Sequence, residues 1–234
     1  MKKQIYFLLI FILFSPIYAQ SNKYRIDGKS YCKQIYDDKN NQITFFKNWE
    51  LIDKFYVSPD ETKMLVYHRP DKSSAFLITL YDLTKNTIIA ECEPGWHCSG
   101  VIFTDDFLIY IWGTTGGGGR FEYRNYNTLQ VEKTLTAHFP VEDIENNILI
   151  LASFYYSDDE VYFHNLSDGN LVKTINIKHE LLKKHIYATG TSIYDIKKTG
   201  VKKYEFTIHY YSIEEDVSES YVPEDHEYIL EIEL

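Results

Sequence analysis

The sequence predicts an all-β fold. Three observations predict it. Most windows alternate apolar and polar residues or form short β-branched and aromatic runs; 21 Tyr and 14 Phe supply flat side chains suited to pleated surfaces; and clusters of Asp, Asn, Gly and Ser separate the runs. In chain order the clearest strands are expected at 42–46, 63–68, 75–81, 87–91, 107–112, 147–155, 160–165, 171–177, 204–211 and 228–234. One segment, 178–184, carries Leu181 and Leu182 among charges and is expected to make a turn or two of helix. In the last strand Tyr228, Leu230, Ile232 and Leu234 should face a core, with Glu231 and Glu233 facing water.

The runs recur in a fixed order. Phe55, Tyr56, Val57, Ser58, Pro59 and Asp60 lead into strands at 64–67 and 76–81, a turn at Asp82 and a strand at 87–90. The order returns from Val101 through a turn at Asn125, again from Pro140 through a turn at Asn165, and more loosely from Ile186. The markers Asp82, Asn125 and Asn165 lie 43 and 40 residues apart, matching four-stranded propeller blades of roughly 40 to 45 residues. Each unit resembles a blade of the WD40 or YVTN-type β-propellers over about residues 51–177, with Ser58-Pro59-Asp60 and Tyr81-Asp82-Leu83-Thr84 as the best matches. The Gly-His and Trp-Asp signatures of WD40 blades are absent. The resemblance implies a β-propeller-like fold with about four to five blades of antiparallel strands, in one domain over residues 20–234; a β-sandwich or an open β-solenoid is the alternative. Residues 228–234 are expected to close the ring by pairing with the first unit, which is short for a blade.

Residues 1–19 read as a cleaved signal peptide. Lys2 and Lys3 form a positive start, residues 5–14 an unbroken apolar run about half as long as a membrane span, and Pro16 and Ala19 precede cleavage before Gln20. No later run approaches the length of a span, so the mature protein is expected in the periplasm or the medium. The formal charge is −10, and loss of the two lysines leaves about −12. Nucleic acid is therefore not an expected partner, because phosphate binding requires a basic stripe. Residues 173–203 hold eight lysines, whereas residues 213–234 hold nine acids and no Lys or Arg. Both read first as solvated faces; the alternatives are a cationic partner for the acidic end or contact between the two segments.

Cys32, Cys92 and Cys98 are an odd number for an oxidising compartment. Cys92 and Cys98 flank a Pro94-Gly95 turn, and closing a short loop costs least entropy, so a Cys92–Cys98 disulfide is expected. A metal site built from Cys92, His97 and Cys98 lacks a clear fourth ligand.

Motifs for catalysis fail on inspection. The glycine-rich stretch from Gly113 to Arg120 lacks the Lys-Ser/Thr end and the following helix of a phosphate loop. It reads instead as a tip between strands, where Gly116, Gly117, Gly118 and Gly119 permit close backbone approach and Arg120 offers a fork for a carboxylate or phosphate. Ser58-Pro59-Asp60 begins like the Asp box of sialidases, but Thr62 stands where glycine is needed. Neither H-E-x-x-H nor G-x-S-x-G occurs, and 34 Asp and Glu offer no pair singled out for glycoside chemistry. No cofactor or metal is expected. By elimination the sequence points to an exported non-catalytic module that binds another protein, and within that class to a periplasmic immunity or inhibitor protein against a secreted toxin or enzyme. The alternative is a carbohydrate-binding or glycoside-processing propeller. The expected contact residues are Trp96 in its turn, His97, the tip from Gly116 to Arg120, and the acids Glu214, Glu215 and Asp216.

Overall fold

A computed structural model describes residues 23–29, 31–46, 51–71, 75–113, 118–137, 139–152, 159–212 and 224–234; the segment read as a signal peptide lies outside them. The chain forms two compact units, one ending at Pro94 and the other starting at Gly95.

The first unit opens with a hairpin, β1 (Tyr24–Lys29) and β2 (Cys32–Asp37), followed by a four-stranded antiparallel meander of β3 (Leu51–Val57), β4 (Lys63–Arg69), β5 (Leu77–Asp82) and β6 (Thr87–Cys92). Ile35, Ile52, Phe55, Met64, Val66 and Tyr81 form its core, with Tyr24 and Ile26 of β1 packed against it. The strand expected at 42–46 does not form. Only Gln42 bridges, to Tyr36. The Thr44 hydroxyl accepts from the Ile35 amide at 2.9 Å and donates to the Gln34 side chain at 2.8 Å, while Gln34 also bonds the Phe46 amide and carbonyl. Side chains thus satisfy backbone groups that a ladder would otherwise pair. The Ser58-Pro59-Asp60 stretch is a turn: Asp60 accepts from the Ser58 and Thr62 hydroxyls and the Thr62 amide, and these bonds hold its carboxyl down at about 2.

The second unit contains β7 (Gly100–Phe103), β8 (Phe107–Gly113), β9 (Gly119–Asn125) and β10 (Val131–Ala137) in one meander. A second follows, with β11 (Phe139–Asp143), β12 (Ile148–Ala152), β13 (Glu160–Asn165) and β14 (Leu171–Asn176). Helix α1 (Ile177–Lys183) leads to a three-stranded sheet of β15 (Ala188–Gly200), β16 (Lys203–Ser212) and β17 (Glu224–Glu233). The fold is all-β with propeller-like blades, as the repeat predicts. In each four-stranded meander the marker residue, Asp82, Asn125 or Asn165, ends the third strand. Each fourth strand also carries one extra residue opposite the third, at Ile89, Glu132 and Val172, a bulge repeated at the spacing of the markers.

Helix α1 lies where the sequence placed it. The Asn176 side chain caps it by accepting from the His179 amide at 2.9 Å, Leu181 is buried and Leu182 exposed. The last strand alternates as expected, with Leu230 and Ile232 in the core and Glu231 and Glu233 outside. β17 pairs along its whole length with β16. The reason is burial, since Tyr204, Phe206 and Ile208 of β16 point into the same core as Leu230 and Ile232. The lysine-rich and acidic segments meet there, with Lys203 3.1 Å from the Glu233 carboxylate and Lys173 donating to the Glu233 carbonyl at 3.2 Å.

Two buried features tie the sheets of this unit together. Asp143 accepts from Lys198 Nζ at 2.9 Å, the Tyr204 hydroxyl at 2.7 Å and the Asn146 side chain at 2.7 Å, linking β11 to β15 and β16. The turn after β13 is clamped onto β9 and β10, where the Tyr123 hydroxyl donates to the Leu166 carbonyl at 3.1 Å and Lys133 Nζ to the Asp168 carbonyl at 2.8 Å. Gly169 in that turn has φ +66°, and a Cβ there would lie 2.8 Å from Tyr123 Cζ and 2.9 Å from Lys133 Cδ. Gly169→Ala is therefore expected to cost about 1–3 kcal/mol in urea unfolding; parental stability would show that the clamp yields.

The expected Cys92–Cys98 disulfide is corrected, because no disulfide forms among the described residues. Cys92 closes β6, where it pairs with Ile78. The Cys98 thiol is buried and donates to the Gly100 carbonyl at 3.4 Å, within its own loop. Cys32 is exposed. Thiol labelling of the native protein should therefore modify Cys32 first and Cys98 only on unfolding.

Candidate functional site

The site grows from strand alternation. Along β9, Arg120, Glu122 and Arg124 share one face, while Phe121 and Tyr123 take the other and are buried. The register with β8 sets Trp112 opposite Arg120 and Tyr110 opposite Glu122, on that same face. Cross-strand neighbours then pair cation with ring: the Arg120 guanidinium lies 5.3 Å from the Trp112 ring centroid and that of Arg124 lies 5.1 Å from Tyr110.

Glu122, only 4% exposed, is the hub of this face. Its Oε2 accepts from Arg124 Nε at 3.1 Å and from Arg124 Nη2, and its Oε1 accepts from Trp112 Nε1 at 3.3 Å. Arg120 Nε stands 3.2 Å from Oε1, an ion pair without the alignment of a hydrogen bond. Arg124 also donates to the Leu129 carbonyl at 2.8 Å. A buried carboxylate so enclosed satisfies the rule that buried charges must be paired.

Trp96 completes the arrangement. Its ring stacks on Trp112 with centroids 5.1 Å apart and planes 16° from parallel. The buried Tyr110 hydroxyl donates to the Trp96 carbonyl at 2.7 Å, holding the turn residue from below. Yet Trp96 is 61% exposed. A residue whose indole is stacked and whose backbone carbonyl is held, while it presents most of its surface to water, is a preorganised contact point.

Of the residues singled out from sequence, Trp96 and Arg120 are brought together through Trp112, and His97 is exposed beside Trp96. Gly118 and Gly119 are half-buried at the start of β9. Gly119 has a packing reason of its own, because a Cβ there would stand 2.8 Å from Pro140 Cγ. Gly116, Gly117, Glu214, Glu215 and Asp216 lie outside the described residues. Sequence reasoning missed Tyr110, Glu122 and Arg124. The signal was present: Arg-x-Glu-x-Arg in a strand puts opposite charges on one face at alternating positions. Among the described residues no group of His, Cys, Asp and Glu could hold a metal ion, and no helix is long and apolar enough to cross a membrane.

No protein-family profile matches the chain, and no curated protein is similar to it in sequence. Solved structures similar to it include BamB from Moraxella catarrhalis, with 9% identity and a TM-score of 0.43, covering 81% of this chain and 58% of that one. Hsv2 from Kluyveromyces lactis has 16% identity and a TM-score of 0.38, covering 83% and 59%. The WD40 domain of Pan2 from Neurospora crassa has 12% identity and a TM-score of 0.38, covering 81% and 59%. The chain spans less than two thirds of the length of each.

Proposed function

We propose that this chain is an exported, non-catalytic module that binds another protein through Trp96, His97 and Arg120. The observation that carries the reading is Trp96, exposed to water while its indole stacks on Trp112 and its backbone carbonyl is held by Tyr110. Interaction hot spots are enriched in Trp and Arg, and rigid aromatic anchors lose little entropy on binding. The carboxylate of this face, Glu122, is buried and occupied by two arginines and an indole, so it is badly placed for proton transfer to a substrate. Export rests on the signal-like residues 1–19, and the acidic mature chain suits a role as an immunity or inhibitor protein against a secreted toxin or enzyme.

The test uses the mature chain, residues 20–234, as bait in periplasmic and culture fractions of its source. One stoichiometric protein partner is expected. Trp96→Ala should weaken its capture by about 30-fold, the loss of a hot spot of about 2 kcal/mol. No stoichiometric partner, or equal capture by Trp96→Ala, would sink the reading.

A further inference from the structure

We infer that the Trp96–Arg120 shelf recognises a carboxylate: an Asp or Glu side chain of the partner seated on the Arg120 guanidinium, with the residue beside it lying on the Trp96 indole. The inference rests on the protein-binding reading above and adds the chemistry that the shelf selects.

Charge on this face does not balance. It carries two guanidiniums and one carboxylate, leaving one positive charge over. Arg124 is buried, shares the Glu122 carboxylate through two nitrogens and donates to the Leu129 carbonyl. The surplus therefore resides on Arg120, whose side chain is 37% exposed. Arg120 meets Glu122 most closely through Nε, without the alignment of a hydrogen bond, and among the described residues its two terminal nitrogens donate no hydrogen bond. Those nitrogens are the pair that grips a carboxylate in bidentate fashion. The guanidinium lies 5.3 Å from the Trp112 ring centroid, and this cation–π contact restrains it before binding, which reduces the freedom to be lost. This local excess of positive charge sits in a chain of net charge −10, which should repel anions elsewhere.

The shelf fits an acidic peptide better than an acidic sugar. A pyranose needs partners for several hydroxyls, and the Glu122 carboxylate and Trp112 Nε1 are already bonded to one another. What the shelf offers is one flat apolar face and one fork, with the exposed His97 beside the indole. That combination suits a carboxylate flanked by an aromatic or proline side chain.

The test titrates the mature protein with acetyl-Glu-Tyr-Glu-amide, its Gln-Tyr-Gln counterpart and sodium glucuronate, following the indole Nε1–H signals of Trp96 and Trp112. The acidic peptide is expected to shift both signals saturably, at least about tenfold more tightly than the Gln peptide or glucuronate. Arg120→Gln should abolish the difference between the two peptides. Arg120→Lys, which keeps the charge but not the fork, should lose most of it. The second variant keeps the test decisive if the first fails to fold. Equal response to both peptides, or a preference that survives Arg120→Gln, would overturn the inference; tighter glucuronate binding would assign the shelf to acidic glycans instead. Partner capture that depends on Trp96 but ignores Arg120→Gln would remove the carboxylate while leaving the protein-binding reading intact.

Discussion

Replacing Glu122 with Ala is expected to destabilise the second unit by about 3–5 kcal/mol, the range found when one member of a buried ion pair is removed. The cost is not the lost attraction itself. It is the stranding of Arg124, which is buried and has Glu122 as its counter-ion, together with the loss of the acceptor for Trp112 Nε1. A double replacement, Glu122→Leu with Arg124→Leu, removes both charges and should recover most of the loss, because well-packed apolar groups often match a buried pair in stability. Urea unfolding followed by circular dichroism separates these outcomes. An effect of Glu122→Ala below about 1 kcal/mol would show that the carboxylate is not the hub described here. The variant should also disturb the Trp96–Trp112 stack, so its tryptophan fluorescence is expected to change before unfolding begins.

Asp143 is the second residue whose loss should be severe, at about 3–4 kcal/mol for Asp143→Ala. Its carboxylate takes donors from Lys198, Tyr204 and Asn146, and Tyr204 is almost wholly buried, so its hydroxyl would be left without an acceptor. Tyr204→Phe removes one of these donors but leaves the carboxylate its other partners, and should cost only about 1 kcal/mol. The network also predicts an acid limb. Burial acts to raise the Asp143 pKa, but the bonds from Lys198, Asn146 and Tyr204 outweigh it and hold the group below its ordinary value. The folded state therefore binds this proton less readily than the unfolded state. Its contribution is fully present above the unfolded value of about 4 and is lost as pH falls through the lower folded value. Stability measured from pH 6 down to pH 2 should fall less steeply in Asp143→Asn than in the parent; identical slopes would remove Asp143 from the acid response.

The sequence by itself determined the class of fold and its unit of construction. Alternating aromatic and β-branched runs must bury one face, and Asp82, Asn125 and Asn165 end the third strands because their positions demand a turn before the fourth. The same local logic placed α1 and the inward face of β17. It also singled out Trp96 and Arg120 separately, one for lying in a turn and one for following glycines. Properties that depend on pairing across the chain were decided only by the tertiary structure. The spacing of Cys92 and Cys98 suggested a bridge, yet the Cys98 thiol turns inward to Gly100. The segment 42–46 looked like a strand, yet the Gln34 side chain pairs the Phe46 amide and carbonyl, and the Thr44 hydroxyl takes the Ile35 amide of β2. The partner of β17 is β16, where the two inward faces share one core. Most of all, the register of β8 against β9 made one shelf of Trp96, Trp112 and Arg120. Alternation names the face a side chain takes, but only the ladder fixes which residue stands opposite it.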